Sequence, residues 1–245
     1  MSETRPGTGP ESGAEGSRPG PEPEAALTPA EGFIAPALAS EFPGLRLVWA
    51  TTAARRRPSP RALARRLAAA ADRYRGAGVI AMRTKPVPGA YRSFFRQVGL
   101  DPDVQRIPAE HVALERLVHG GFRPGDVIDD ACRIALIETG VPVYAVDADR
   151  VAAGGLGIRP VLATELEPAP PAQAPRAGIQ AGALVVADAE RVHALLFSPP
   201  GAGHAPGPRT ERVTLYAVGV DGVPQVHIEE AIWIALEILG PAAAS

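Results

Sequence analysis

Apolar residues recur along this chain with two periods, one near 3.6 and one near 2, and the elements follow from where each starts and stops. Residues 45–53 (LRLVWATTA) alternate and predict the first core strand, with Arg55, Arg56 and Arg57 in the loop after it. Leu63, Leu67, Ala70 or Ala71 and Tyr74 then form a helical stripe, with Ser59 as cap and Pro60 at the first helical position. Arg61, Arg65, Arg66 and Arg73 fall off that stripe. Gly76 and Gly78 end the helix, and residues 79–83 (VIAMR) read as a short strand. Tyr91, Phe94, Phe95 and Val98 stand at i, i+3, i+4 and i+7, giving a second helix an aromatic face beside Arg92 and Arg96. Pro108 opens a third helix with the stripe Val112, Leu114, Leu117 and Val118, closed by Gly120 and Gly121. A fourth helix runs from an Asp126 cap to Gly140. It is apolar on most sides through Ile128, Ala131, Cys132, Ala135 and Leu136, which predicts a central, buried element.

Strands dominate the second half of the chain: residues 141–146, 157–165, 183–188, 192–197 and 212–220. Three residues separate the third and fourth of these, too few for a parallel crossover, so antiparallel pairing is expected, and Asp221-Gly222 is a turn signal. A last helix spans about 224–239, with Ile228, Ala231, Ile232, Ala235, Leu236 and Leu239 inward. Helices, then strands, then a helix predict an α+β fold with an antiparallel or mixed, β-sandwich-like core flanked by helices.

Composition adjusts this picture at the N-terminus. Residues 1–32 form a Pro/Gly/Glu-rich stretch with few large apolar side chains, which predicts a disordered tail ahead of one globular domain over 33–240. One cysteine, Cys132, excludes a disulfide framework and a multi-cysteine zinc site, and a thiol-poor chain fits the cytoplasm. No apolar run is long enough to span a bilayer, and the start lacks a secretory signal.

The net charge of -2 conceals segregation. Residues 46–123 carry 16 basic and 5 acidic side chains, a surplus of +11, whereas 124–245 carry 7 and 15. Such a field attracts phosphates, which makes RNA a candidate partner through Arg55, Arg56, Arg57, Arg61, Arg65, Arg66, Arg92 and Arg96. The alternative is two solvated helix faces neutralised by the acidic final third.

Most standard chemistry is absent. The chain has no phosphate-binding loop, no His-Glu-x-x-His, no nucleophile elbow and no motif that reads DNA sequence. The Asp147/Asp149 and Asp129/Asp130 pairs are read as turn and helix carboxylates rather than a cation site, so neither metal nor cofactor is expected. Cys132 on an apolar helix predicts an inert thiol. His204 stands in a Gly/Pro loop, residues 198–210, of the kind that closes over ligands. Asp126, Asp130, Arg133 and Glu138 are charges on a helix predicted to be buried; the first three either pair internally or line a pocket.

The order YRSFFRQVGLDPD (91–103), RIPAEHVALERLVHGG (106–121) and DVIDDACRIALIETGVPVYAVDADRV (126–151) resembles the B3/B4 domain family, and the likeness continues through 184–192 and 210–224. That family includes the editing domain of the bacterial phenylalanyl-tRNA synthetase beta chain and freestanding proteins. The resemblance implies a compact α+β fold and, in the synthetase, hydrolysis of tyrosine wrongly esterified to phenylalanine tRNA. Where the family commonly carries two asparagines around an aspartate, this chain has Asp126 and Arg133 around Asp130. Asn both donates and accepts, an ionised Asp only accepts and Arg only donates, so a site for the same ligand has to be rebuilt.

The expected function is therefore hydrolysis of a misacylated aminoacyl-tRNA in trans, with tRNA or another RNA and a small amino-acid-like ligand as partners. Asp126, Asp130, Arg133, Glu138 and His204 would bind substrate, while no catalytic residue is identified. The alternative is a non-catalytic module that binds RNA or an amino acid. A protein partner recruited through the Pro-rich tail is a third reading.

Overall fold

The computed structural model describes residues 28–74, 81–162, 165 and 182–240. The expected tail lies largely outside them, but Ala30–Glu31 form a short strand, β1, and Phe33–Ile34 another, β2. Pro36–Glu41 is a short helix, α1, and β3 covers Arg46–Ala53. Three helices follow: α2 (Arg61–Ala71), α3 (Pro86–Gln97) and α4 (Pro108–His119). Then come α5 (Val127–Thr139), β4 (Val143–Asp147), β5 (Gly157–Pro160), β6 (Leu184–Ala187), β7 (Val192–Leu195), β8 (Arg212–Gly219) and α6 (Gln225–Leu239).

The strands build two four-stranded sheets, ordered β1-β3-β8-β4 and β2-β5-β6-β7. All pairings are antiparallel except β2 with β5, so the core is mixed. In the first sheet β8 is central and buried except at Arg212. Gly219 lies against Ile228 of α6, where a Cβ would collide, so Leu215 and Ala217 on the same face also point toward the helices. The opposite face carries Trp49, Tyr216 and Tyr144 in one row across β3, β8 and β4. Gly155, with φ of 80°, lets the chain entering the second sheet pass directly over the Trp49 indole. Among the described residues no helix is long and apolar enough to cross a membrane.

Three local expectations are corrected. The stripe on α4 faces the other way: Ala109, Glu110 and Ala113 are buried, while Leu114, Leu117 and Val118 are exposed. The small alanines fit the close approach of α4 to α5, and Glu110 is drawn inward by Arg92. Ala81 and Met82, expected in a strand, are helical, and residues 79 and 80 lie outside the described residues, as do Gly76 and Gly78. Ser59 does not cap α2; its hydroxyl donates to Asp130 instead, and Pro60 holds the cap position.

Candidate functional site

The expected substrate-binding residues on α5 do not converge. Asp126 caps the helix by accepting from Ile128 N–H and stands 3.4 Å from Arg56. Asp130 is 1% exposed, and its Oδ2 accepts from the Ser59 hydroxyl at 2.6 Å and from Gly125 N–H at 2.8 Å. Those two donors replace water around a buried carboxylate, so Asp130 staples the 55–59 loop to α5 instead of facing a cavity. Arg133 pairs with Glu115 at 3.4 Å and lies over the Phe122 ring. Glu138 sits at the far end of α5, where Arg66 grips both its oxygens, at 3.1 and 2.7 Å. It lines a hollow of about 350 Å³ against Ile137, Thr139, Gly140 and the start of α3. Burial pushes the Cys132 thiol far up, in keeping with an inert side chain.

His204 is where chemistry gathers. Phe197, which opens its loop, takes a left-handed backbone (φ 60°) and is held by the rings of Tyr91, Phe94 and Phe95, with centroids 5.4–5.8 Å away. The loop expected to close over a ligand is tied down at several points. Gly201 N–H donates to His193 O, Asp147 N–H to His204 O at 2.8 Å, and Arg56 Nη1 to Pro206 O at 3.2 Å, while the Thr210 hydroxyl donates to Asp147.

These anchors bring the two imidazoles together. His204 Nδ1 stands 3.0 Å from His193 Nδ1, and His193 Nε2 stands 2.8 Å from Asp188 Oδ2. The Asp188 and His193 side chains have no solvent exposure. Asp188 also accepts from the N–H groups of Ala152, Glu190 and Arg191. Burial by itself would raise this carboxyl, but those three N–H groups and the His193 ring outweigh it and hold Asp188 down at about 2.

Protonation then follows along the row. Asp188 is an acceptor, so His193 Nε2 carries a proton; in the tautomer that leaves His193 Nδ1 bare, that atom accepts from His204 Nδ1–H. In that tautomer the lone pair of His204 lies on Nε2, which has no hydrogen-bond partner among the described residues, and the residue is half-buried. Burial, then the His193 ring and the charges of Arg191 and Arg150, lower His204 from its ordinary 6.5, with Asp188 opposing. That shift favours the neutral imidazole, the form that can act as a base.

No family model matches the chain. Over 52 residues, 21% of its length, it is 46% identical to the phenylalanine–tRNA ligase beta subunit of Gloeobacter violaceus, and the match spans 7% of that subunit. The likeness is to part of a tRNA-ligase subunit.

The arginines expected to meet RNA divide into two sets. Arg92 is buried between Glu110 and Asp103, at 2.8 Å from each, and is no surface cation. Arg55 pairs with Glu211, Arg56 with Asp126 and Asp129, and Arg66 with Glu138. Arg57, Arg61 and Arg65 are exposed and form no ion pair among the described residues, and Arg96 is exposed near Asp103. The arginine run at 55–57 thus abuts the His204 loop through the contact of Arg56 with Pro206.

Sequence reasoning found His204 but missed Asp188 and His193. Their signal was a histidine at an inward strand position next to an aspartate that opens a tight turn, legible only once the hairpin is drawn. Among the described residues no group of three His, Cys, Asp or Glu side chains is placed to hold a metal ion.

Proposed function

We propose that residues 33–240 form one B3/B4-like domain, working in the cytoplasm, that hydrolyses an aminoacyl ester carried by tRNA, with His204 as general base. The observation that carries this reading is the row Asp188–His193–His204, which ends in an imidazole nitrogen without a partner among the described residues, on a loop braced by Arg56 of the arginine run. The partial likeness to a tRNA-ligase beta subunit supports the choice of RNA. In the reaction, His204 Nε2 removes a proton from water as its oxygen attacks the ester carbonyl. The tetrahedral intermediate collapses, the bond to the ribose oxygen breaks, and His204 returns the proton to that oxygen. His193 and Asp188 hold the ring in the required tautomer and stabilise the transient imidazolium. Arg57, Arg61 and Arg65 would take tRNA phosphates.

The test is release of amino acid from a panel of misacylated tRNAs. His204→Ala should reduce the rate to that of buffer, and the wild-type rate should fall as pH drops through a value below 6.5. Should no aminoacyl-tRNA be hydrolysed faster than in buffer, hydrolysis is wrong and the second reading, an RNA-binding module without catalysis, takes its place. The three exposed, unpaired arginines favour that second reading independently of His204.

A further inference from the structure

The hollow beside Glu138 has a chemistry of its own. Its contacts are at the C-terminal end of α5, whereas Arg56, which braces the His204 loop, binds the carboxylates at the N-terminal end. With 13 residues at about 1.5 Å each, those ends are about 20 Å apart, so an ester held in the hollow cannot reach His204 Nε2.

Most of the wall is apolar: Met82, Val87, Ile137 and the prolines Pro86 and Pro88. Of the polar groups, both Glu138 oxygens are occupied by Arg66, and the Thr139 hydroxyl donates to Ala135 O while accepting from Val141 N–H. Besides the Tyr74 hydroxyl, which also lines the hollow, two nitrogens are left. Lys85 makes no ion pair among the described residues, and His227 Nδ1 is buried with no hydrogen-bond partner. Lys85 occupies the cap position of α3, so the partial positive charge of that helix start adds to its own. The ammonium donates, and so does an imidazole Nδ1–H; together they match an anionic acceptor with two oxygens. A volume of about 350 Å³ falls within the usual span of small-molecule sites, about 300–1,000 Å³.

We propose that this hollow binds a small monocarboxylate with an apolar body, its carboxylate taken by Lys85 and His227 and its body by Met82, Val87 and Ile137. Calorimetric titration of the full chain with phenylpropionate and with phenylpropanol, which differ in the carboxylate, is the test. The acid should bind about tenfold or more tightly than the alcohol, as expected for charge-assisted hydrogen bonds. Lys85→Met should erase that preference and Lys85→Arg should restore it, while His227 ring resonances should move with the acid alone. Equal binding of acid and alcohol, unchanged acid binding in Lys85→Met, or no binding at millimolar concentration overturns the proposal. His204→Ala should leave acid binding intact, which separates a failure here from a failure of the hydrolytic reading.

Discussion

A carboxylate without solvent contact keeps its charge only where hydrogen bonds replace water, and Asp188 recruits three N–H groups and a histidine ring for this. Its folded value of about 2 lies below the unfolded 3.8, so the stabilisation is complete above about pH 4 and is lost as pH falls toward 2. The size is about 2 kcal/mol. Urea unfolding of wild type and Asp188→Asn across that window should show the extra loss in wild type alone; parallel losses would mean the carboxylate is not held this way. His204, lowered from 6.5, likewise contributes stability above pH 6.5 that drains as pH falls through its folded value. Neither effect was visible in the sequence, because Asp188 and His193 acquire meaning from a hairpin register, not from a motif.

At the scale of elements, periodicity located the helices and strands but did not always choose their buried face. On α4 the larger apolar residues point outward, and the small ones admit a neighbouring helix. Leu117→Glu should therefore change unfolding free energy by no more than about 0.5 kcal/mol, whereas Ala113→Leu should cost about 1–3 kcal/mol by overpacking. A costly Leu117→Glu would restore the expected stripe. The partner of that inversion is Arg92, read as a surface cation beside an aromatic face and found buried against Glu110. Glu110→Ala removes one of the two carboxylates on this guanidinium, leaves Asp103, and should cost about 1–3 kcal/mol in chemical denaturation. A loss below about 1 kcal/mol would show that Asp103 alone suffices.

Across the whole molecule, the basic middle of the chain folds against its acidic final third. Arg55, Arg56 and Arg66 are neutralised by Glu211, by Asp126 with Asp129, and by Glu138. What remains for a polyanion is a smaller cationic surface that includes Arg57, Arg61 and Arg65. Replacing these three with Gln should lower the slope of log affinity for RNA against log salt by about 2–3. An unchanged slope would place the contact elsewhere.

The order of the elements from β3 onward, apart from the strand expected at 79–83, the α+β class and the burial of α5 followed from local sequence, since hydrophobic period, proline and glycine act over a few residues. The capping role of Asp126 was legible for the same reason. Which charges face solvent and where the hollow opens were decided by contacts between residues tens of positions apart, and which carboxylate meets which histidine by the hairpin and loop that bring Asp188, His193 and His204 together. Asp130 and Ser59, or Arg66 and Glu138, become neighbours only when their helices and loops dock, because a side chain's charge says that it needs a partner and not where the fold will supply one.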